Sequence, residues 1–220
     1  MGAKTWMLVL AVTDARAALE TRPTLDRAAA QALATRLFPD EALEALADGS
    51  LDFTNPPDNE LLVGCFRGLA IVAAKEFALD RPSTLDPRFI AAGGRGSVQL
   101  YAMHSVVDWF AYARWSNGVL MRSVSLSPDG GVTEDIGARL PFEHPYWAGE
   151  HAVDDGGEDV AYPLPFHPLE FGEATLGETL GFQYEGYRED NGLDPEEIPL
   201  LRYRRSASKP TRRSMWAFWR

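Results

Sequence analysis

Residues 97–127, SVQLYAMHSVVDWFAYARWSNGVLMRSVSLS, constrain this chain more than any other stretch. Ser116-Asn117-Gly118 separates two runs rich in Val, Leu, Tyr, Phe and Trp. Asn-Gly supplies the positive φ angles of a tight hairpin, so 108–115 and 119–127 are expected to pair antiparallel. A third run, 98–103, extends the hairpin into a meander at the heart of a sheet.

The rest of the chain supplies elements to pack on that sheet. TWMLVLAVT at 5–13 is a short continuous apolar run, the pattern of a buried strand. Thr24 has the chemistry of an N-cap. Leu25, Ala29, Ala32 and Leu33 follow at helical spacing, so a helix over 25–38 with that stripe turned to the sheet is expected before Pro39. Residues 41–47 fit a short helix or a strand. Residues 61–66 and 69–74 flank Arg67-Gly68 as a second hairpin, with 70–79 fitting a helix as the alternative, and Asp86-Pro87 opens a short helix ending by Gly93-Gly94. Residues 173–180 form a further helix with Gly181 at its C′ position. Residues 128–171 have no sustained periodicity; the aromatics of 141–168 predict that this Pro-rich segment packs on the other face or the end of the sheet. Residues 190–197 are polar and expected to be mobile.

With 220 residues, 45% of them hydrophobic, the chain can bury one substantial core. The expected class is a single α+β domain over 1–201: a largely antiparallel mixed sheet, helices on one face and a long Pro- and aromatic-rich segment. The formal charge of −11 is uneven, because 202–220 hold seven basic residues and no acids. Met1–Leu201 then has 14 basic against 32 acidic residues, a charge of −18. Such a body repels nucleic acid and anionic membranes. The tail, which interleaves its cations with Trp216, Phe218 and Trp219, is expected to be disordered and outside the core. The single cysteine, Cys65, excludes an intramolecular disulfide and fits a cytoplasmic protein. The apolar run at 6–12 is too short to span a bilayer.

One polar cluster invites a catalytic reading. His104, Ser105 and Asp108 lie where the long strand must break, and by the period of two His104, Asp108, Tyr112 and Arg114 share a face if it does not break. A histidine oriented by a carboxylate is the pairing of a general base. The competing reading is a polar lock at the end of the sheet, and no nucleophile signature is present. His144, His151 and His167, with Asp154 and Asp155, match no metal-ligand spacing, and Gly93-Gly94-Arg95-Gly96 is no phosphate loop. Neither a metal nor a cofactor is therefore expected. Tyr146, Trp147, Phe166, His167 and Arg114 stand out instead as candidate binding residues, since aromatics and Arg anchor protein interfaces.

Several segments resemble an uncharacterised family of bacterial proteins, a domain of unknown function in high-GC bacteria. They are Gly2-Ala3-Lys4-Thr5-Trp6, Leu79-Asp80-Arg81-Pro82-Ser83, 85–89, 102–111, Leu126-Ser127-Pro128-Asp129, Pro145-Tyr146-Trp147-Ala148-Gly149 and 163–168. The resemblance covers 1–201 and brings no activity, cofactor or catalytic residue. The functional expectation is a non-catalytic protein that binds another protein or regulates it. The alternative is a small hydrolase-like enzyme using His104 and Asp108, with Ser105 or Tyr112 nearby.

Overall fold

The apolar run at the start of the chain forms β1 (Lys4–Ala11), which lies near the middle of the sheet because it has little polar surface to offer water. The computed structural model describes residues 3–153, 162–185 and 192–207. After β1 come α1 (Ala15–Glu20), α2 (Arg27–Leu37), β2 (Glu41–Ala45), β3 (Gly49–Ser50), β4 (Glu60–Phe66) and β5 (Leu69–Ala73). Then follow α3 (Pro87–Ala92), β6 (Ser97–His104), β7 (Trp109–Ser116), β8 (Val119–Ser127) and β9 (Gly131–Gly137). The chain closes with α4 (Glu143–Trp147), α5 (Pro168–Leu180) and β10 (Pro199–Ala207). The ten strands form one sheet in the order β2-β10-β4-β5-β1-β6-β7-β8-β9, with β3 paired to β10. Every pairing between these strands is antiparallel.

Both expected hairpins and the meander are present. Asn117 and Gly118 have φ of 50° and 79°, as the tight turn demands. The ambiguous segment at 41–47 is the edge strand β2, while β9 falls inside a region that shows no periodicity in sequence. Asp86 caps α3 with Pro87 in its first turn, and Gly181 ends α5 at φ 81°.

The first long helix differs from its expectation in cap and in face. Asp26, not Thr24, accepts the Ala29 N–H, and the buried stripe is Ala30, Leu33, Ala34 and Leu37. These positions keep the i, i+3, i+4, i+7 rule, whereas Ala29 and Ala32 are exposed. Helices also cover both faces of the sheet, not one. One core holds α2 and α3 against Leu8, Leu100 and Ala113. The other holds residues of α1, α4 and α5 against Met7, Tyr101 and Leu126. Residues 140–147 and 162–166 join this second layer, on the face opposite α2, as the aromatic content predicted. Gly172 lets α5 lie close to the sheet: a Cβ there would stand 2.8 Å from Met103 Sδ and Phe110 Cδ2.

The domain boundary lies later than the composition indicates. β10 runs to Ala207, so Arg202, Arg204 and Arg205 belong to a strand in the interior of the sheet and not to a tail. Arg205 is buried, with its Nε 2.5 Å from Glu41, its Nη1 2.8 Å from Glu76, and its guanidinium over the Phe38 ring. Specific carboxylate partners turn the cations of this segment into structural groups. Leu193 and Pro195 are likewise buried within the segment expected to be mobile. Trp216, Phe218 and Trp219 lie outside the described residues.

Arg122 is the largest fully buried side chain. Its Nε and Nη2 donate to Glu143 at 3.0 and 2.7 Å, and its Nη1 donates to Asp135 at 2.6 Å and to the carbonyls of Ser123 and Ile136. This set fastens α4 to β8 and β9. Removing one partner of a buried pair leaves the other charge unpaired, so Arg122→Ala should cost about 3–5 kcal/mol in denaturant unfolding. Burial alone would raise the Asp135 carboxyl, but hydrogen bonds from Arg139 and Arg122 hold it below the usual carboxylate range. A depressed folded value adds stability above the unfolded value of about 3.9 and loses it as pH falls through the folded one. The melting temperature should therefore hold from neutrality down to about pH 4 and fall below that, with a smaller acid loss in Asp135→Asn.

Candidate functional site

β6 ends at His104 and β7 starts at Trp109, so Ser105–Asp108 make the turn between them. The break sends the two candidate catalytic groups to opposite sides of the sheet. His104 continues the alternation of Leu100 and Ala102 toward the α2 and α3 layer, where its ring lies 5.7 Å from Trp6. Its Nδ1 accepts the Val106 N–H at 3.2 Å. Asp108, at φ 45°, turns the other way, and its Oδ2 lies 3.7 Å from His167 Nε2 at the start of α5. No hydrogen bond or ion pair joins His104 to Asp108. Ser105 donates its backbone N–H to Ala3 O, and Tyr112 is fully buried with its hydroxyl 3.4 Å from Gln99. Burial pushes the Tyr112 phenol upward, out of reach of acid–base work near neutrality. The four residues of the enzyme reading therefore do not assemble.

His167 and Asp108 form a different pair, and the hydrogen bonds define its chemistry. His167 is the N-cap of α5, its Nδ1 accepting the Leu169 N–H at 3.3 Å. In the neutral ring the proton then sits on Nε2, facing the Asp108 carboxylate. No ring nitrogen is left free to take a proton from a substrate. Tyr162 stacks on His167 at 5.8 Å, and burial followed by the Asp108 charge raises its phenol. The Tyr162 hydroxyl and the Trp147 Nε1 are buried without a hydrogen-bond partner among the described residues. The cluster is a lock between the β6–β7 turn and α5.

The aromatic binding candidates are also turned inward. Phe166 is fully buried and Tyr146 nearly so. Phe166 meets Phe171 at 4.7 Å and Trp147 edge-on at 5.0 Å, and Arg139 caps the Trp147 ring at 4.0 Å. Aromatic pairs of this kind add about 0.5–1.5 kcal/mol each beyond area burial. Phe166 and Tyr146 thus serve the core, and Trp147 is half-buried. Arg114 is exposed on β7 and forms no ion pair among the described residues. No group of three metal-ligating side chains occurs among the described residues; His144 is exposed, His151 stacks on Tyr146 beside Glu170, and Asp154 and Asp155 lie outside them.

A surface invisible in the sequence takes their place. Val119 and Met121 of β8 are 63% and 51% exposed, and Val132 and Ile136 of β9 are 44% and 43% exposed. Among the described residues, four of the eight large exposed hydrophobics thus lie on the last two strands of the sheet. β9 is also an edge: β8 is its one strand partner among the described residues. These side chains flank the edge on both faces of the sheet: Val132 pairs with Leu126, on the α5 face, and Ile136 with Ser123, on the face that carries Glu134 and Ser83.

The structural roles at the turn and the cap are separable from catalysis by substitution. Asp108→Gly should keep or raise stability, because glycine adopts positive φ freely, while Asp108→Val should lose about 1–2 kcal/mol. His167→Ala should cost about 1 kcal/mol and His167→Asp should recover it, since Asp is a preferred N-cap.

No curated protein and no solved structure matches the chain. No helix among the described residues is long and apolar enough to cross a membrane. A family model matches residues 5–203, and the chain belongs to that family, a family of unknown function (DUF6928).

Proposed function

We propose that the protein is a non-catalytic, cytoplasmic binding protein that recognises another protein through the β8–β9 edge. The edge strand β9, flanked by exposed aliphatic side chains, carries this reading. A strand with one open side offers a partner a row of backbone donors and acceptors, and the exposed aliphatics on either face of it add apolar contact. The acidic body supports a protein partner over nucleic acid or an anionic membrane. The cytoplasmic setting rests on a single, unpaired cysteine, and the bacterial one on the motif resemblance.

The test is affinity capture from the source cells, followed by hydrogen exchange on the recovered complex. The wild type should retain a stoichiometric partner that protects the amides of β9. Ile136→Lys and Met121→Lys, both at exposed positions, should fold normally and lose that partner. Retention of the same partner by both variants, or protection confined to another surface, would reject the edge as the interface.

A further inference from the structure

On the face opposite α5, the upper ends of β4, β5 and β1 lie open between α2 and α3. Cys65, Ala70 and Leu10 form one cross-strand row there, since Cys65 and Leu10 both pair with Ala70. The row floors a groove of about 490 Å³. Ala29 and Ala32 of α2 wall one side, and Ala92 at the end of α3 the other. The groove follows from the face α2 uses to dock. Its buried stripe seats the helix on the sheet, and the alanines beside that stripe are too short to fill the space toward α3. The volume falls within the ~300–1,000 Å³ typical of small-molecule sites, which are likewise mostly apolar with few polar groups.

One charge lines the groove. Arg36, in the last turn of α2, is in no ion pair among the described residues, although Arg16, Arg22, Arg27, Arg122, Arg202 and Arg205 all are. Asp26 and Arg36 both act on the Cys65 thiol, and the Asp26 carboxylate is engaged by the Ala29 N–H at the start of the helix. An unpaired guanidinium at an otherwise apolar site complements an anion.

We infer that this groove binds a small amphiphile, its apolar body on the Cys65–Ala70–Leu10 floor and its carboxylate or similar anionic head on Arg36. The site stands apart from the β9 edge, so its fate does not depend on the protein-binding reading. Cys65 takes no covalent part: burial pushes its thiol up to about 11, which keeps it neutral and a poor nucleophile at neutral pH. It is instead a built-in reporter, because it is the single cysteine and lies on the floor.

Calorimetric titration of the full chain with decanoate, decanol and decylamine separates body from head. Decanoate should bind most tightly and decylamine most weakly. Arg36→Gln should weaken decanoate about tenfold and leave decanol unchanged. Ala32→Phe, which fills the groove from an exposed helix position, should abolish binding of both. Decanoate should also slow alkylation of Cys65 by iodoacetamide, followed by intact mass. Absence of decanoate binding, an affinity unmoved by Ala32→Phe, or equal affinities for decanoate and decylamine would each overturn the assignment. Loss of a captured protein partner on Ala32→Phe, with no binding of the three probes, would reassign the groove to a protein ligand.

Discussion

A sheet buried on both faces is the constraint to which the rest of this molecule answers. In an antiparallel sheet with one wet face, apolar residues alternate with polar ones. Here every residue of β4 is buried, and β1 and β6 are apolar on both sides. Such strands need two covering layers. The first comes from α2, α3 and the connection between β5 and β6. The second needs the aromatics of 140–171, which have no regular periodicity because they are held by α4, a turn and the start of α5 rather than by one long element. The cost of burying both faces therefore explains why a segment that resembles a binding loop is core.

Polar groups inside this arrangement are tied to the same task. Arg122 with Glu143 and Asp135 holds the second layer to the β8–β9 end, and Arg205 with Glu41 and Glu76 holds the first layer to the β2 end. On the α2 face Glu134 is buried and accepts hydrogen bonds from the Ser83 N–H, the Ser83 hydroxyl and the Ser123 hydroxyl. That carboxylate pins the connection between β5 and α3 onto β8 and β9. His104 and His167 each accept a backbone N–H two residues on, the role that Asp86 and Asp194 fill at their own caps. In both rings the proximal nitrogen is engaged by the turn it stabilises, which leaves the geometry of a lock and not of a general base.

What the sequence made legible follows from the range of the signal. Hairpins and caps are local: Asn117-Gly118, Arg67-Gly68 and Asp86-Pro87 each determine their own geometry within a few residues. The α2 face is hard to place from sequence because five alanines over 28–34 carry almost no contrast in hydrophobicity, which leaves the stripe ambiguous by one position. Arg205 looked like part of a basic tail because its two carboxylate partners lie 129 and 164 residues away in the chain. The groove beside α2 is illegible for the same reason, since its floor joins Leu10 to Ala70 across two strands far apart in the chain. β8 and β9 are neighbours in sequence, and what the sequence does not show there is that β9 ends the sheet.

The two edges of the sheet show how charge placement can close one side and leave the other open. At β2, Glu44 sits opposite Arg204 and Glu41 bonds diagonally to Arg205, so the outermost strand is short and bound by charge pairs to its neighbour. Short, charged edges resist pairing with a further strand. β9 is longer, and its two acids are used up internally, Glu134 on Ser83 and Ser123, Asp135 on Arg122 and Arg139. The charges that might have guarded this edge thus serve the core, and Val132 and Ile136 are what the strand presents to water. An edge that has lost its protection to internal bonding is open to a partner strand, which is why the physical case for an interface is stronger at β9 than at β2.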